Sequence, residues 1–436
     1  MRPAPRLIAL VLCCGALTVL LALAVGDPAI PVLVMWSALL LIVMIDALAS
    51  IAPRAIIVEV SLPKSGMVGV AAPYTVTLKR KTGAVLPAKL SLRFDLDAAL
   101  GDGVVADLAC ARPSYAIKDH VPLLKRGLHK VRALHLKWPS RWGLLEVLSR
   151  TLLSHDITVV PDVTAVMSGQ IQAQMLPLLE GQKDMRLKGS GSEFHQLRDF
   201  APGMDARQID WKRSARLNAL VARETRAEKN HHILLALDCG YLMNERIAGL
   251  PKLDRAINAA LGLGWAAGLG GDHVGLYAFD NRPRQFLPPQ PGRAGFAQLR
   301  AAAAGLNYTD HETNHTLGLS HLLTRLRRRC LIIVFSDFVD SITAELLVEN
   351  VSLLTRHHLV LFVALRDPAL NRIANPTDFG LNSIAASVSA GQILHERQAV
   401  MERLSQLGVL CLDVAPEALT TALVSKYIDI KARELI

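Results

Sequence analysis

Two groups of residues have types and spacing that could do chemistry. His311-Glu312-Thr313-Asn314-His315-Thr316-Leu317-Gly318-Leu319-Ser320-His321 follows the pattern His-Glu-x-x-His-x-x-Gly-x-x-His. Imidazoles at i and i+4 share one helix face and can hold Zn²⁺, while the glutamate between them serves as general base in a hydrolysis. The second group is a pair of acids, Asp238 and Asp337, each following a short apolar run that reads as a buried strand. Ligands of open parallel sheets bind outside the carboxyl ends of the strands. Carboxylates at those two positions could therefore take a hard cation.

Both readings meet physical objections. Thr309-x-x-Glu312 has the form of a capping box, which predicts a helix starting just before His311. Leu319, Leu322, Leu323 and Leu326 then continue one apolar face past His321. A metzincin protease helix ends near its glycine, so that the chain turns and delivers the third histidine. The Met-containing turn of such enzymes is also missing, since the next methionine is Met401. An ordinary surface helix is the preferred expectation; a membrane-bound zinc metalloprotease using residues 311–321 is the alternative. The two acids lack companions too, because Asp238-Cys239-Gly240-Tyr241-Leu242 offers no serine or threonine hydroxyl. A hard cation wants about six oxygens. Asp238, Asp337 and a hydroxyl from Ser336 or a threonine within 309–316 make at best a degenerate, weak site for Mg²⁺. Helix capping or pairing with arginine is the preferred role for both acids. His231-His232 and His357-His358 precede strands and lack metal-like companions.

A third stretch is dense in Arg, Asp, Glu and Trp. Glu193, Arg198, Asp199, Arg207, Asp210, Trp211, Arg216, Arg223 and Glu224 punctuate residues 189–224, with Phe194 and Phe200 among them. Alternating signs suit a folded polar connector in which each guanidinium has a carboxylate within reach. The string Glu193-Phe194, Leu197-Arg198-Asp199-Phe200, Pro202-Gly203, Arg207, Ile209-Asp210-Trp211-Lys212, Ser214-Ala215-Arg216, Arg223-Glu224 resembles the signature of the bacterial "domain of unknown function 58" family. That resemblance implies a membrane-anchored chain with a von Willebrand factor A-like domain, often encoded beside AAA+ ATPases of the MoxR type. In von Willebrand A domains the places of Asp238 and Asp337 belong to a metal-ion-dependent adhesion site, here without the two hydroxyls that follow its first acid. Arg126-Gly127 and Arg141-Trp142-Gly143-Leu144 resemble the family's first domain, a small β-sandwich, although the second place departs from the usual acidic-Pro-aromatic-Gly-Leu pattern.

The elements that must position these residues are legible as patterns. Leu7 to Val25 and Val32 to Ala49 are apolar runs at the short end of what spans a bilayer, separated by Gly26-Asp27-Pro28-Ala29-Ile30-Pro31. They predict a transmembrane helical hairpin. Arg2 and Arg6 before it and Arg54 and Lys64 after it place both ends in the cytoplasm. A cleavable signal peptide ending at Ala22-Leu23-Ala24 is a rival for the first run and leaves that orientation unchanged. Asp46, near the inner end of the second run, reads as interfacial. Residues 54–162 show period-two strands such as Tyr74 to Lys79 and Leu134 to Trp138. Residues 163–230 form a linker and the connector. From 231 to 436, Ile233 to Leu237, Val274 to Phe279, Leu331 to Phe335, Leu359 to Ala364 and Val409 to Val414 alternate with helical patterns, among them Leu253, Ile257, Leu261 and Trp265. This is the pattern of an α/β, doubly wound, mostly parallel sheet of von Willebrand A-like type.

Composition limits what remains. Of 436 residues 51% are hydrophobic, and the net charge is +10. Arg2 and Arg6 cancel Asp27 and Asp46, so that charge belongs to the part beyond the apolar runs and favours an anionic leaflet. Only 5% of residues are aromatic, and no stacking platform or recognition motif speaks for nucleic acid. Six cysteines without a Cys-x-x-Cys fit reduced thiols in a cytosolic setting. No phosphate loop or Rossmann fingerprint points to a small-molecule substrate. The expectation is a non-enzymatic adaptor on the bacterial inner membrane, facing the cytoplasm. It needs no cofactor and works with a protein partner, which the resemblance implies is a MoxR-type ATPase acting in complex assembly or envelope maintenance.

Overall fold

The computed structural model describes residues 1–24, 29–97, 105–109, 112–176, 193–201, 204–206, 209–226, 230–338, 341–376 and 380–436, with backbone alone at 22, 24, 105–106, 193–196, 224–226, 293, 341–343 and 381. The fold is mixed α/β and divides into two compact units, Met1–Val160 and Pro161–Ile436.

The first unit opens with β1 (Arg2–Pro3), α1 (Pro5–Ala24) and α2 (Ala29–Ala49). The helix at Ala29–Ala55 is the one among the described residues long and apolar enough to cross a membrane by length and composition; the apolar part of α1, Pro5–Leu21, is shorter. Leu12, Leu23, Ile30, Leu33 and Leu48 are all exposed, so these helices present apolar surface outward. Strands β2 (Ile56–Ser61), β3 (Ser65–Met67), β4 (Ala71–Arg80), β5 (Lys89–Leu96), β6 (Val105–Ala109), β7 (Ser114–Pro122), β8 (Gly127–Pro139) and β9 (Leu145–Val160) follow. They form a six-stranded sheet in the order β1-β9-β8-β5-β6, with β3 also on β9, and a three-stranded sheet β2-β4-β7. Alternation drives the packing: Tyr74, Val76 and Leu78 of β4 and Leu90, Leu92 and Phe94 of β5 are buried. Tyr74 and Phe94 meet edge to face across the two sheets, centroids 5.1 Å apart. Asp46 differs from the interfacial reading. It is fully buried and accepts hydrogen bonds from the Ser140 hydroxyl and, at 2.8 Å, from Trp142 N.

The second unit begins with α3 (Thr164–Met167) and a hairpin of β10 (Glu193–Asp199) and β11 (Val221–Arg226) enclosing α4 (Trp211–Leu217). Its main sheet contains β12 (His232–Asp238), β15 (His273–Phe279), β16 (Pro283–Pro291), β17 (Leu331–Phe335), β18 (Leu359–Leu365) and β19 (Leu410–Val414). A two-residue pair, β13 (Arg246–Ile247) with β14 (Leu250–Pro251), lies between the first two. The order is β16-β15-β12-β17-β18-β19, parallel throughout except β16, which runs antiparallel at the edge.

Strands buried on both faces read as continuous apolar runs, and their side chains divide by parity. Ile233, Leu235 and Leu237 enter one core with Leu253, Ile257 and Leu261 of α5 (Lys252–Leu269), Leu299 of α6 (Gly292–Ala304) and Leu423 and Tyr427 of the C-terminal helix at Leu419–Ala432. Leu234 and Ala236 enter the other, with Leu319 and Leu322 of α7 (His315–Arg325), Leu347 and Val351 of α8 (Ser341–Thr355) and Leu404 of the helix at Leu381–Gln406. Helices thus cover both faces, and the carboxyl end of the sheet is left to loops.

Candidate functional site

Asp238 closes β12 at that end and is buried. Its Oδ1 accepts hydrogen bonds from Thr313 Oγ1 at 2.6 Å and Gly240 N at 2.8 Å, and its Oδ2 accepts one from Ser336 Oγ at 2.6 Å. His315 Nε2 stands 3.1 Å from Ser336 Oγ and 3.5 Å from Asp238 Oδ2. Ser336 gives its single proton to Asp238, so its oxygen is free to accept from His315 Nε2–H. A nucleophilic serine would instead hand its proton to the imidazole, so this Asp, Ser and His do not form a nucleophilic triad. Gly240 makes the arrangement possible, because a Cβ there would lie 1.9 Å from Thr313 Oγ1.

Asp337, two residues beyond β17, has different neighbours. Its Oδ2 lies 2.6 Å from Lys252 Nζ; its Oδ1 accepts from Arg397 Nη1 at 2.8 Å and from Phe338 N at 3.0 Å. Lys252 also meets Glu245, and Arg397 Nη2 reaches Leu365 O at 2.9 Å and Asp413 Oδ1 at 3.3 Å. Burial pushes the Lys252 ammonium down, but the charge of Asp337 and the hydrogen bonds to Asp337 and Glu245 outweigh it, so its pKa lies above the ordinary lysine value. Arg397 is likewise raised, with Asp337 and Asp413 overcoming its burial. A divalent cation at Asp337 would have to displace two cations that belong to the chain itself. The groups around Asp337 do not fit a hard ion as they stand.

The zinc pattern does not assemble. Helix α7 starts at His315, not before His311, and Asn314 is its N-cap, accepting from Leu317 N at 2.9 Å. His311 and Glu312 lie in the preceding loop, so the i, i+4 relation of His311 and His315 on one helix face is lost. His321 Nδ1 sits 3.4 Å from the Tyr277 hydroxyl. Its ring stacks on Tyr277, which stacks on Phe279, which meets His315 edge on. Two aromatic rings therefore stand between His315 and His321. Gly318 is within α7 and packs against Phe279, rather than ending the helix. Among the described residues no group of three or more His, Cys, Asp or Glu is placed to hold a metal.

The connector is built around Asp210. That carboxylate caps α4 by accepting from Arg213 N at 3.2 Å and pairs with Arg223 Nε at 2.9 Å. The hydrogen bond from Arg223 holds it below the usual carboxylate range, aided by the Arg213 amide. The Asp210 amide donates to Val221 O at 2.9 Å, and Ser214 Oγ accepts from Val221 N at 2.9 Å, which ties α4 to β11. Arg198 faces Ala222, and Asp199 faces Val221, across the hairpin. Arg198, Asp199, Arg216 and Trp211 are exposed, Trp211 to 67%. Glu193 and Glu224 lie in the paired strands, with their side chains outside the described residues; Arg207 lies outside them altogether.

Beside Asp337 opens a cleft of about 830 Å³, lined among others by Tyr241, Glu312, Thr313, His315, Leu317 and Phe338. Tyr241, Leu317 and Leu346 on its walls are exposed. Lys252 and Arg397 escaped the sequence reading, because nothing local marks a partner so far away in the chain. Thr313 and Ser336 lay within the hydroxyls considered for Asp238.

A mixed sheet with acids at its carboxyl end and an Arg/Asp/Trp hairpin before it defines the class. Residues 196–385 match the family "Protein of unknown function DUF58". Uncharacterized proteins of Mycobacterium bovis and of two Mycobacterium tuberculosis strains are 24% identical over 189 residues, which is 42% of this chain and 57% of theirs. The chain thus matches little more than half the length of these curated relatives. Among solved structures, an aerotolerance-related membrane protein from Bacteroides fragilis is similar over 46% of this chain and 99% of its own, at 13% identity and a TM-score of 0.32. The conserved hypothetical protein BatB from Bacteroides thetaiotaomicron is similar over 47% and 100%, at 14% identity and a TM-score of 0.33. Likenesses at such TM-scores bear on neither fold detail nor role.

Proposed function

We propose that the chain is a membrane-anchored, non-enzymatic protein-interaction adaptor. Its recognition module is a von Willebrand factor A-like domain in which the chain's own side chains stand in for the adhesion-site cation. The observation that carries this reading is the engagement of both Asp337 oxygens by Lys252 and Arg397 beside an open cleft walled by exposed Tyr241, Leu317 and Leu346. A site that has internalised its cation can hold the loops of a docking surface without metal. Exposed aromatic and aliphatic side chains around a concavity suit protein contact.

The apolar α1 and α2 supply the anchor as a two-helix hairpin in the inner membrane. Arg2, Arg6, Arg54 and Lys64 at its ends favour a cytoplasmic orientation for both units. The family resemblance makes a MoxR-type AAA+ ATPase the proposed partner, in complex assembly or envelope maintenance. The test is photo-crosslinking from position 346 in intact cells, with the adducts identified by mass spectrometry. An AAA+ ATPase captured at 346 and lost in a Tyr241→Ala/Leu317→Asp variant supports the reading. Adducts that ignore those substitutions refute the cleft as the docking surface.

A further inference from the structure

A second large concavity lies within the first unit, where the apolar helices meet the strands. It measures about 790 Å³ and is lined by Arg6, Ser50, Arg80, Lys89, Arg141 and Trp142, among others. The turn at 140–144 is pinned to the ends of both helices. Arg2 and Pro3 pair with Glu146 and Leu145 of β9, Ala4 N donates to Leu144 O at 3.0 Å, and Asp46 of α2 accepts from Trp142 N. Arg6 lies against that turn: Gly143 has a φ of 74°, and a Cβ there would stand 3.2 Å from Arg6 Nη1. If α1 and α2 cross the bilayer, this cavity is at the depth where they leave it.

The charge there is one-sided. Four basic side chains line the cavity, and its acid, Glu146, is already paired with Lys137 at 2.9 Å. Asp46 is buried beneath the turn and occupied by Ser140 and Trp142 N. Among the described residues no carboxylate pairs with Arg6, Lys89 or Arg141. Arg80 gives Nη1 to Val85 O at 3.0 Å, while its Nε is buried without a partner. Guanidinium forks suit phosphate oxygens, and Trp142, half exposed, is the side chain that settles at the headgroup level.

We propose that this cavity binds the phosphodiester headgroup of an anionic membrane lipid, held by Arg6, Arg80, Lys89 and Arg141 with Trp142 at the acyl boundary. The inference rests on the membrane-anchor reading above. It gives the turn at 140–144 a task, since one short loop then joins helix ends, strand and lipid. Basic pockets beside membrane helices recognise such headgroups by charge at short range.

The test titrates the full chain, purified in mild detergent, with phosphatidylglycerol or phosphatidylcholine and reads bound lipid by native mass spectrometry. Wild type should prefer phosphatidylglycerol, and Arg6→Gln/Arg141→Gln should weaken that lipid by about tenfold while leaving phosphatidylcholine unchanged. Lys118→Gln/Lys130→Gln, an equal loss of charge on exposed strands elsewhere, should bind like wild type. Lys89→Gln should move in the same direction by less, which covers a misfolded double variant. Equal binding of the two lipids by wild type, or equal phosphatidylglycerol binding by wild type and Arg6→Gln/Arg141→Gln, overturns the proposal. Displacement of the lipid by millimolar glycerol phosphate would assign the cavity to a soluble phosphate and overturn the lipid source. Alkaline carbonate extraction of cell membranes reports on the anchor separately: release of wild type by that wash refutes the anchor, whatever the titration gives.

Discussion

Lys252 Nζ lies 2.6 Å from Asp337 Oδ2, with both side chains more than nine-tenths buried at the carboxyl end of the sheet. The lysine starts α5 and the aspartate follows β17, so the pair ties α5 to the carboxyl end of the sheet. Removing one member of a buried pair leaves the other short of compensation, and Asp337 would keep Arg397 as its charged partner. Because Arg397 still compensates part of that charge, Lys252→Met should lower stability by no more than about 3 kcal/mol, read as a shift of the urea midpoint. Lys252→Met/Asp337→Leu removes both charges but leaves Arg397 with Asp413, and should recover only part of that loss. A single variant as stable as wild type would show that the pair holds nothing together.

The same pair predicts an alkaline limb. The Lys252 pKa in the folded chain lies above its ordinary value, with Asp337 the main cause opposing burial. Its contribution is fully present below the unfolded value of about 10.4 and is lost as pH rises through the raised folded value. Wild type should lose its advantage over Lys252→Met as the pH climbs past about 10.4, measured by denaturant midpoints across that range. Parallel curves for the two proteins would contradict the assignment.

Gly318 allows α7 to approach β15. A Cβ at that position would lie 2.5 Å from Phe279 Cδ2, well inside contact distance. Gly318→Ala should cost about 1–3 kcal/mol by overpacking, despite the better helix propensity of alanine. Adding Phe279→Leu should relieve part of the penalty. A stabilised Gly318→Ala would mean that the two elements have room to spare.

Asp210 caps α4 and holds Arg223, and its carboxyl is depressed chiefly by that arginine. Stability from a depressed acid is present above the unfolded value of about 3.9 and lost as pH falls through the folded one. Arg223→Ala should make amide exchange across 210–217 faster than in wild type near neutral pH. That difference should shrink in acid, where wild type loses the pair too. Hydrogen–deuterium exchange of that peptide at several pH values is the measurement, and identical exchange at every pH would count against the pair.

Much of the sheet was legible because burial on both faces leaves a plain mark. Ile233 to Leu237 and Leu331 to Phe335 are unbroken apolar runs, and their side chains divide between two cores. The start of α7 was not legible. Thr309, the expected cap, gives its hydroxyl to Cys239 O at 2.6 Å, and its carbonyl accepts from Asn244 Nδ2. A residue engaged in loop contacts cannot cap, so Asn314 takes the position five residues later. The site was half legible. An acid after a buried strand is a local signal, whereas Lys252 and Arg397 find Asp337 only through the fold. The connector showed its alternating charges, but not that Asp210 would both cap α4 and pair with Arg223.

Asp238 differs from Asp337 in being held by neutral donors, and that difference separates a cation site from a structural one. If the carboxylate exists to organise Thr313, Gly240 and Ser336, its removal leaves three donors without that acceptor, two of them buried. Asp238→Ala should then cost about 3 kcal/mol, since hydrogen bonds to charged groups are the stronger kind, and the cost should be the same with or without Mg²⁺. Wild type should melt at the same temperature when Mg²⁺ is added, because Lys252 and Arg397 already neutralise the neighbouring acid. Metal analysis should find wild type and His315→Ala alike in zinc content, His315 being hydrogen-bonded to Ser336 and set apart from His321 by two rings. A melting temperature that rises with Mg²⁺ in wild type and not in Asp238→Ala would restore the cation, because only an ion bound at Asp238 raises the one and spares the other.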